Sequence, residues 1–245
     1  MPDLRAYWRL SRAPRYSLLF VFPLLLLYEI LAFALSHDAI AGVRNGADVL
    51  LKSLFISLGG RDGLIVFGVL LVGSGAWLVW RDWRRTGGRL RWSVFGLMLV
   101  ESVVYALVFG FVVGSFTALL MGWLPRLAIG ALAQFSLPTQ LMISLGAGIY
   151  EELLFRVLLV SGLALMARRL FGWNTTAAGV FATLVGALIF SGFHYIGPYG
   201  DQFTAGSFVF RAIAGVLFSA LYLLRGFGIT AWTHALYDVW LTLLT

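Results

Sequence analysis

The sequence has 245 residues, of which 60% are hydrophobic and 12% charged, with a formal net charge of +7. A soluble domain covers its surface with roughly 25% charged residues, so lipid rather than water is the implied solvent. The lack of cysteine excludes disulfides, thiol nucleophiles and thiolate metal sites, and because the arginines sit at the ends of apolar runs, the basic excess argues against nucleic acid as a partner.

Seven apolar runs reach the length of about 20 residues that a helix needs to cross a ~30 Å hydrocarbon core: residues 16–36, 63–80, 92–122, 138–166, 175–198, 206–224 and 228–244. None shows the two-residue alternation of a membrane β-barrel strand. The fold expected is therefore all-α: a polytopic membrane protein of about seven (six to eight) transmembrane helices, bundled around a polar intramembrane cavity. With no linker, repeat or low-complexity tract, residues 1–245 read as a single membrane domain, with helices 1–3 in 1–137 and helices 4–7 in 138–245.

The first run follows Arg5, Arg9, Arg12 and Arg15, and it is longer than a signal-peptide core and contains Glu29. Those features read as a retained helix. His37 falls in the loop that follows. Ala47 to Leu58 spaces Asp48, Lys52, Ser53 and Ser57 at helical intervals, which predicts a short interfacial helix. On the third run, Gly110 and Gly114 form a small-residue step that would admit a neighbouring backbone, while Glu101 is the single acid there. Glu29 and Glu101 read as structural, bonding across helices or lining a polar cavity.

With the N-terminus inside, twelve arginines (5, 9, 12, 15, 81, 84, 85, 89, 91, 168, 169 and 225) fall in inner loops, against Arg44, Lys52, Arg61 and Arg126 outside. That asymmetry predicts a cytoplasmic N-terminus. Trp80, Trp83, Trp92, Trp123 and Trp173 fall at the predicted interfaces, where indoles are favoured.

An ionisable side chain inside a membrane helix costs something like 2.5 to 3.5 kcal/mol and asks for a partner or a purpose. After residue 150 such groups accumulate: Glu151, Glu152, Arg156, His194, Arg211, His234 and Asp238. In Tyr150-Glu151-Glu152-Leu153-Leu154-Phe155-Arg156 the α-helical period sets Glu152 and Arg156 one turn apart, close enough to pair, and turns Glu151 about 100° away. Glu151 is thus free to take up a proton during chemistry; a buried ion pair beside a protonated spare acid is the equally weighted structural alternative. His194 ends Phe190-Ser191-Gly192-Phe193-His194. His234 and Asp238 form an i, i+4 pair on one helical face, where a carboxylate can orient the imidazole. No nucleophile elbow, phosphate-binding loop or H-E-x-x-H helix is present, and neither Ser144 nor Ser191 has a recognisable adjacent base. Two histidines and up to three carboxylates remain. They suffice to activate water as a general base or to hold zinc with an open position, and either points to hydrolysis.

E-E-x-x-x-R, then F-x-x-x-H, then H-x-x-x-[ND] on the last helix resemble, in that order, the CPBP family of CAAX prenyl endopeptidases and bacterial Abi or bacteriocin-processing relatives. The resemblance covers residues 138–245; Arg15-Tyr16-Ser17, Pro23-Leu24 and Tyr28-Glu29 look like the opening of some bacterial members. It implies an intramembrane endopeptidase acting on a membrane-associated protein or peptide, integral to a bacterial inner membrane with lipid around it. By resemblance, Glu151 would activate water with the help of His194, His234 would stabilise the oxyanion, and Glu152 and Arg156 would support them. In a metalloprotease version, Glu151, His194 and His234 would be the zinc ligands. Two departures stand out: Asp238 replaces the usual Asn, and in the F-x-x-G element Gly215 is present but Ala212 takes the Phe position, with Phe208 and Phe210 nearby. A non-catalytic scaffold that keeps the fold to bind a partner is the alternative, and a proton-coupled carrier a third. Depth sets a condition on any of these. At ~1.5 Å per residue, Glu151 lies about 25 Å from Arg168 and His234 about 13 Å from Arg225, so the cluster converges only if helices tilt, break or shift in depth.

Overall fold

The computed structural model describes residues 3–36, 43–122, 134–197 and 200–244, and among them every regular element is helical. In chain order these are α1 (Leu4–Ser11), α2 (Pro14–Ser36), α3 (Gly46–Gly59), α4 (Asp62–Thr86), α5 (Trp92–Met121), α6 (Leu137–Gly146), a π-helical segment (Ala147–Val160), α7 (Ser161–Phe171), α8 (Thr175–Phe193), α9 (Ala205–Arg225) and α10 (Phe227–Leu244). His37, Trp123 and Arg126 lie outside the described residues.

Five helices, α2, α4, α5, α8 and α9, are long and apolar enough to cross a membrane. Their outward faces are lined by side chains such as Phe111, Leu119 and Val180, exposed in the isolated chain, as lipid-facing positions are. The other two expected spans carry the polar cluster and are not among these five, so the structure supports an integral all-helical membrane protein without fixing the count at seven.

Several boundaries shift for physical reasons. α4 runs past its apolar stretch through Arg81, Arg84 and Arg85 and stops at Gly87, whose φ of +60° ends the helix. The stretch expected at 175–198 closes at Phe193, with His194 as its C-cap. α1 was not expected at all. Its arginines read as a flanking loop, yet Asp3 caps it by accepting from the Ala6 N–H at 2.6 Å.

The Ala47–Leu58 helix exists as α3, and its four polar residues divide: Asp48 and Lys52 turn toward the interior, while Ser53 and Ser57 are exposed. Asp48 is fully buried and accepts from Tyr28 Oη (2.8 Å), Arg44 Nη1 (3.0 Å) and Lys52 Nζ (3.1 Å), while Leu54 and Leu58 face out.

α10 is the central element, packing on α2, α5, α6, α9 and the π segment, while α8 packs chiefly on α9. Glycines set how closely these approach. A Cβ on Gly148 would lie 2.3 Å from the Ala231 carbonyl of α10, and one on Gly146 would lie 2.5 Å from the Tyr28 ring of α2. Gly110 of the expected small-residue step faces the Tyr237 ring of α10.

Candidate active site

The expected helix at 138–166 forms as part of one continuous helical run over 137–171, but its middle fourteen residues are wound as a π-helix, so the α-helical spacing assumed for the E-E-x-x-x-R motif does not apply. π turns occur mostly as single-turn bulges, frequently at functional sites. The segment packs chiefly on α10, with α8 and α3 also against it, and buries Tyr150, Glu151, Glu152, Phe155 and Arg156 together. The expected division between the two acids holds under this winding. Arg156 Nε stands 3.2 Å from Glu152 Oε2, and Glu151 faces elsewhere.

Glu152 is busier than expected. Its Oε1 lies 2.7 Å from His234 Nδ1, so one buried carboxylate ties α10 to the π segment and neutralises Arg156 as well. The Arg156 guanidinium sits 4.3 Å from the Phe190 ring centroid and 5.5 Å from that of Phe218, and the His234 ring stacks on Phe218 at 4.3 Å. These faces hold the cation without competing for Glu152. A carboxylate only accepts, so His234 Nδ1 carries the proton that it donates to Glu152, which leaves Nε2 to face Asp238 Oδ2 at 3.6 Å.

Glu151 has two distinct oxygens. Oε1 accepts from the side-chain amide of Asn45 at 2.8 Å, whereas Oε2 is buried with no hydrogen-bond partner and stands 3.9 Å from His194 Nε2. His194 Nδ1 lies 2.9 Å from the Phe190 carbonyl, an acceptor, so Nδ1 carries the ring proton and Nε2 presents a lone pair. An imidazole lone pair and a carboxylate oxygen thus face each other across a gap too long for a direct hydrogen bond. The residues drawn from three separate runs do converge: Glu151 with His194, and Glu152 with His234 and Asp238. Close glycine contacts make this possible, Gly148 against α10 and Gly215 of α9 against Ala187 and Phe190 of α8. Arg211, the remaining ionisable group, is bonded to Asp201 and to Tyr195 Oη at 3.1 Å and lies within electrostatic reach of His194 and Asp238.

Asn45 went unnoticed in the sequence, although an Asn ahead of Gly46-Ala47-Asp48 is a helix-cap signal. It caps α3 through Oδ1 (Ala47 N–H, 2.9 Å) while Nδ2 reaches Glu151. The pairing of Glu29 was also unforeseen: it accepts from Tyr150 Oη at 2.6 Å, Arg44 at 3.1 Å and Lys52 at 3.2 Å, which fits the structural role expected of it. Ser144 and Ser191 spend their hydroxyls on backbone carbonyls, those of Gln140 (3.0 Å) and Phe208 (2.7 Å).

Glu151, His194 and His234 offer the oxygen and nitrogen chemistry that zinc takes. As the side chains stand, however, no group of three or more His, Cys, Asp or Glu among the described residues is disposed to hold a metal ion, and His234 Nδ1 is committed to Glu152.

Residues 132–240 match the family model described as type II CAAX prenyl endopeptidase, Rce1-like. Over that stretch the chain is similar to that family. The matched segment contains Glu151, Glu152, Arg156, His194, His234 and Asp238, and the matching family is the one that the three ordered motifs resemble. No curated protein and no solved structure matches the chain.

Proposed function

We propose that the protein is an intramembrane endopeptidase that hydrolyses a peptide bond of a membrane-associated protein or peptide, with water activated between Glu151 and His194. The observation that carries this reading is the pair of acceptors, Glu151 Oε2 and His194 Nε2, facing each other at 3.9 Å. Two acceptors need a double donor between them, and water is the smallest. Held by both, the water loses a proton to Glu151 as its oxygen attacks the scissile carbonyl carbon, and the carbonyl π electrons move onto oxygen. His234 Nε2, fixed in direction by Glu152 at Nδ1, donates to that oxyanion when the ring is protonated, and Asp238 beside it orients the ring. The proton held by Glu151 then passes to the leaving amine as the C–N bond breaks. Asn45 keeps Oε1 occupied, so that Oε2 is the working oxygen. No step here runs through a metal; the zinc version requires Glu151, His194 and His234 to swing together.

The test uses full-length protein reconstituted in liposomes, with membrane-tethered fluorogenic peptides ending in prenylated and unprenylated CAAX sequences as probes. Glu151→Gln and His194→Ala should each lower turnover at least a hundredfold (roughly 3 kcal/mol or more of lost transition-state stabilisation) while keeping the wild-type melting temperature. Normal turnover by both variants overturns the mechanism and leaves the scaffold reading. Metal analysis of the purified protein, with turnover measured after verified metal removal, separates the glutamate from the zinc version: full activity of metal-free protein is expected. The bacterial inner membrane and the cytoplasmic N-terminus belong to the same proposal, and protease accessibility of an N-terminal tag in sealed vesicles checks the second.

A further inference from the structure

At the end of the molecule where α1, the start of α2 and the α4–α5 turn meet, a cleft of about 400 Å³ is lined by Arg9, Arg15, Tyr16, Gly87, Arg89 and Arg91 among others, with no Asp or Glu among its described lining residues. Its volume falls within the range of small-ligand sites. Arg15 is the built part. It is 7% exposed, its Nη1 donates to the Gly87 carbonyl, and its Nε is buried without a hydrogen-bond partner, 3.5 Å from Asp82 Oδ2. Arg9, Arg89 and Arg91 are exposed at the rim, and the Arg91 N–H donates to Tyr16 Oη at 3.0 Å, which anchors the turn against α2. Four arginines therefore line the cleft, and Asp82 is the acid recorded against one of them, Arg15.

The depth of the cleft is marked on both sides. α1 buries Tyr7 and Ser11 and exposes Leu4, Arg5, Trp8 and Arg9, the pattern of a helix lying in the plane of the headgroups. Across the cleft, Trp83 and Trp92 are exposed where indoles settle at the membrane interface. A basic pocket between membrane helices at that depth meets lipid phosphates. We propose that this cleft binds the phosphate of an anionic phospholipid, with Arg15 at its floor and Arg9, Arg89 and Arg91 around the phosphodiester. This site shares no residue with the proposed catalytic group, so it stands or falls independently of the peptidase reading.

The test titrates full-length protein in neutral detergent with short-chain phosphatidylglycerol and, separately, with phosphatidylcholine of the same chains. Phosphatidylglycerol should bind at least tenfold more tightly. The double variant Arg89→Gln/Arg91→Gln should weaken it about thirtyfold, roughly fivefold per surface guanidinium, whereas Arg61→Gln on a distant turn should leave it unchanged. In wild type, about 0.5 M salt should weaken binding at least tenfold, an arm that needs no variant to fold. Equal binding of the two lipids, an unchanged double variant, or salt-insensitive binding overturns the proposal. So does displacement of phosphatidylglycerol by inorganic phosphate at equal concentration, or by an acidic peptide, either of which would assign the cleft to another ligand.

Discussion

Adjacent acids on one helical segment do different work here because each has different partners. Glu152 touches two cationic or proton-bearing groups, Arg156 and His234, and is fully buried; Glu151 touches an amide and faces a histidine lone pair. Removing the charge of Glu152 leaves the Arg156 guanidinium uncompensated in the interior, so Glu152→Gln should destabilise by about 3–5 kcal/mol, the range for breaking a buried pair. A fall in melting temperature checks this, and an unchanged midpoint would show that the pair carries little. On the proposed mechanism, Asn45 acts through Glu151 as a positioning residue. Its bond to a carboxylate is worth about 1.5–3 kcal/mol, so Asn45→Ala should lower kcat about tenfold to a hundredfold while KM for a cleaved peptide stays put. A rise in KM with normal kcat would assign Asn45 to substrate binding instead.

The π segment is the element on which these residues depend, and its position is set by small residues. With 2.3 Å between a Gly148 Cβ and the Ala231 carbonyl, any side chain forces α10 outward. Gly148→Val should cost about 1–3 kcal/mol or more by overpacking and, by separating His234 from Glu152, should also abolish turnover. Gly162, with open space around it, is the control: Gly162→Ala should leave both intact. At this scale the limits of the sequence are plain. The spans at 16–36, 92–122 and 206–224 were legible because lipid demands unbroken apolar length. The Glu152–Arg156 pair was legible because i and i+4 are neighbours on an α-helix and stay so in the wider turn. The π winding was not legible, since a segment apolar on most sides carries no sharp period from which the width of its turn could be read. The link from Glu152 to His234, eighty-two positions apart, and the reach of Asn45 to Glu151 depend on helix packing that no local period encodes. The partners of α3 were hidden for the same reason: helical spacing shows that Asp48 and Lys52 share a face, but not that the face meets Tyr28, Glu29 and Arg44.

At the scale of the molecule, a second buried polar group binds the opposite end of the bundle. Arg225 at the close of α9 pairs in two-pronged fashion with Glu101 of α5 (Nε–Oε1 2.6 Å, Nη2–Oε2 2.8 Å), donates to Ser11 and lies 3.8 Å from the Trp8 ring centroid. Tyr7 donates to the same carboxylate, and its phenol is pushed above its ordinary value by burial and by the adjoining Glu101, so it stays protonated. This explains both the lone acid on the third run and why Arg225, grouped by sequence with the inner-loop charges, is 1% exposed. The clasp ties α1, α5 and α9 together away from the Glu151–His194 pair, and so it should govern stability and not chemistry. Glu101→Gln should strand a buried guanidinium and lose about 3–5 kcal/mol, while Glu101→Gln/Arg225→Met should recover much of that loss, because removing both partners removes the desolvation penalty with the attraction. Thermal unfolding of the two variants in one detergent checks the cycle. Below its melting temperature, each should cleave at the wild-type rate. A double variant as unstable as the single one would show that Arg225 holds α1 through Ser11 and Trp8 more than through the acid. A loss of turnover in a fully folded variant would show that the two ends of the bundle are coupled.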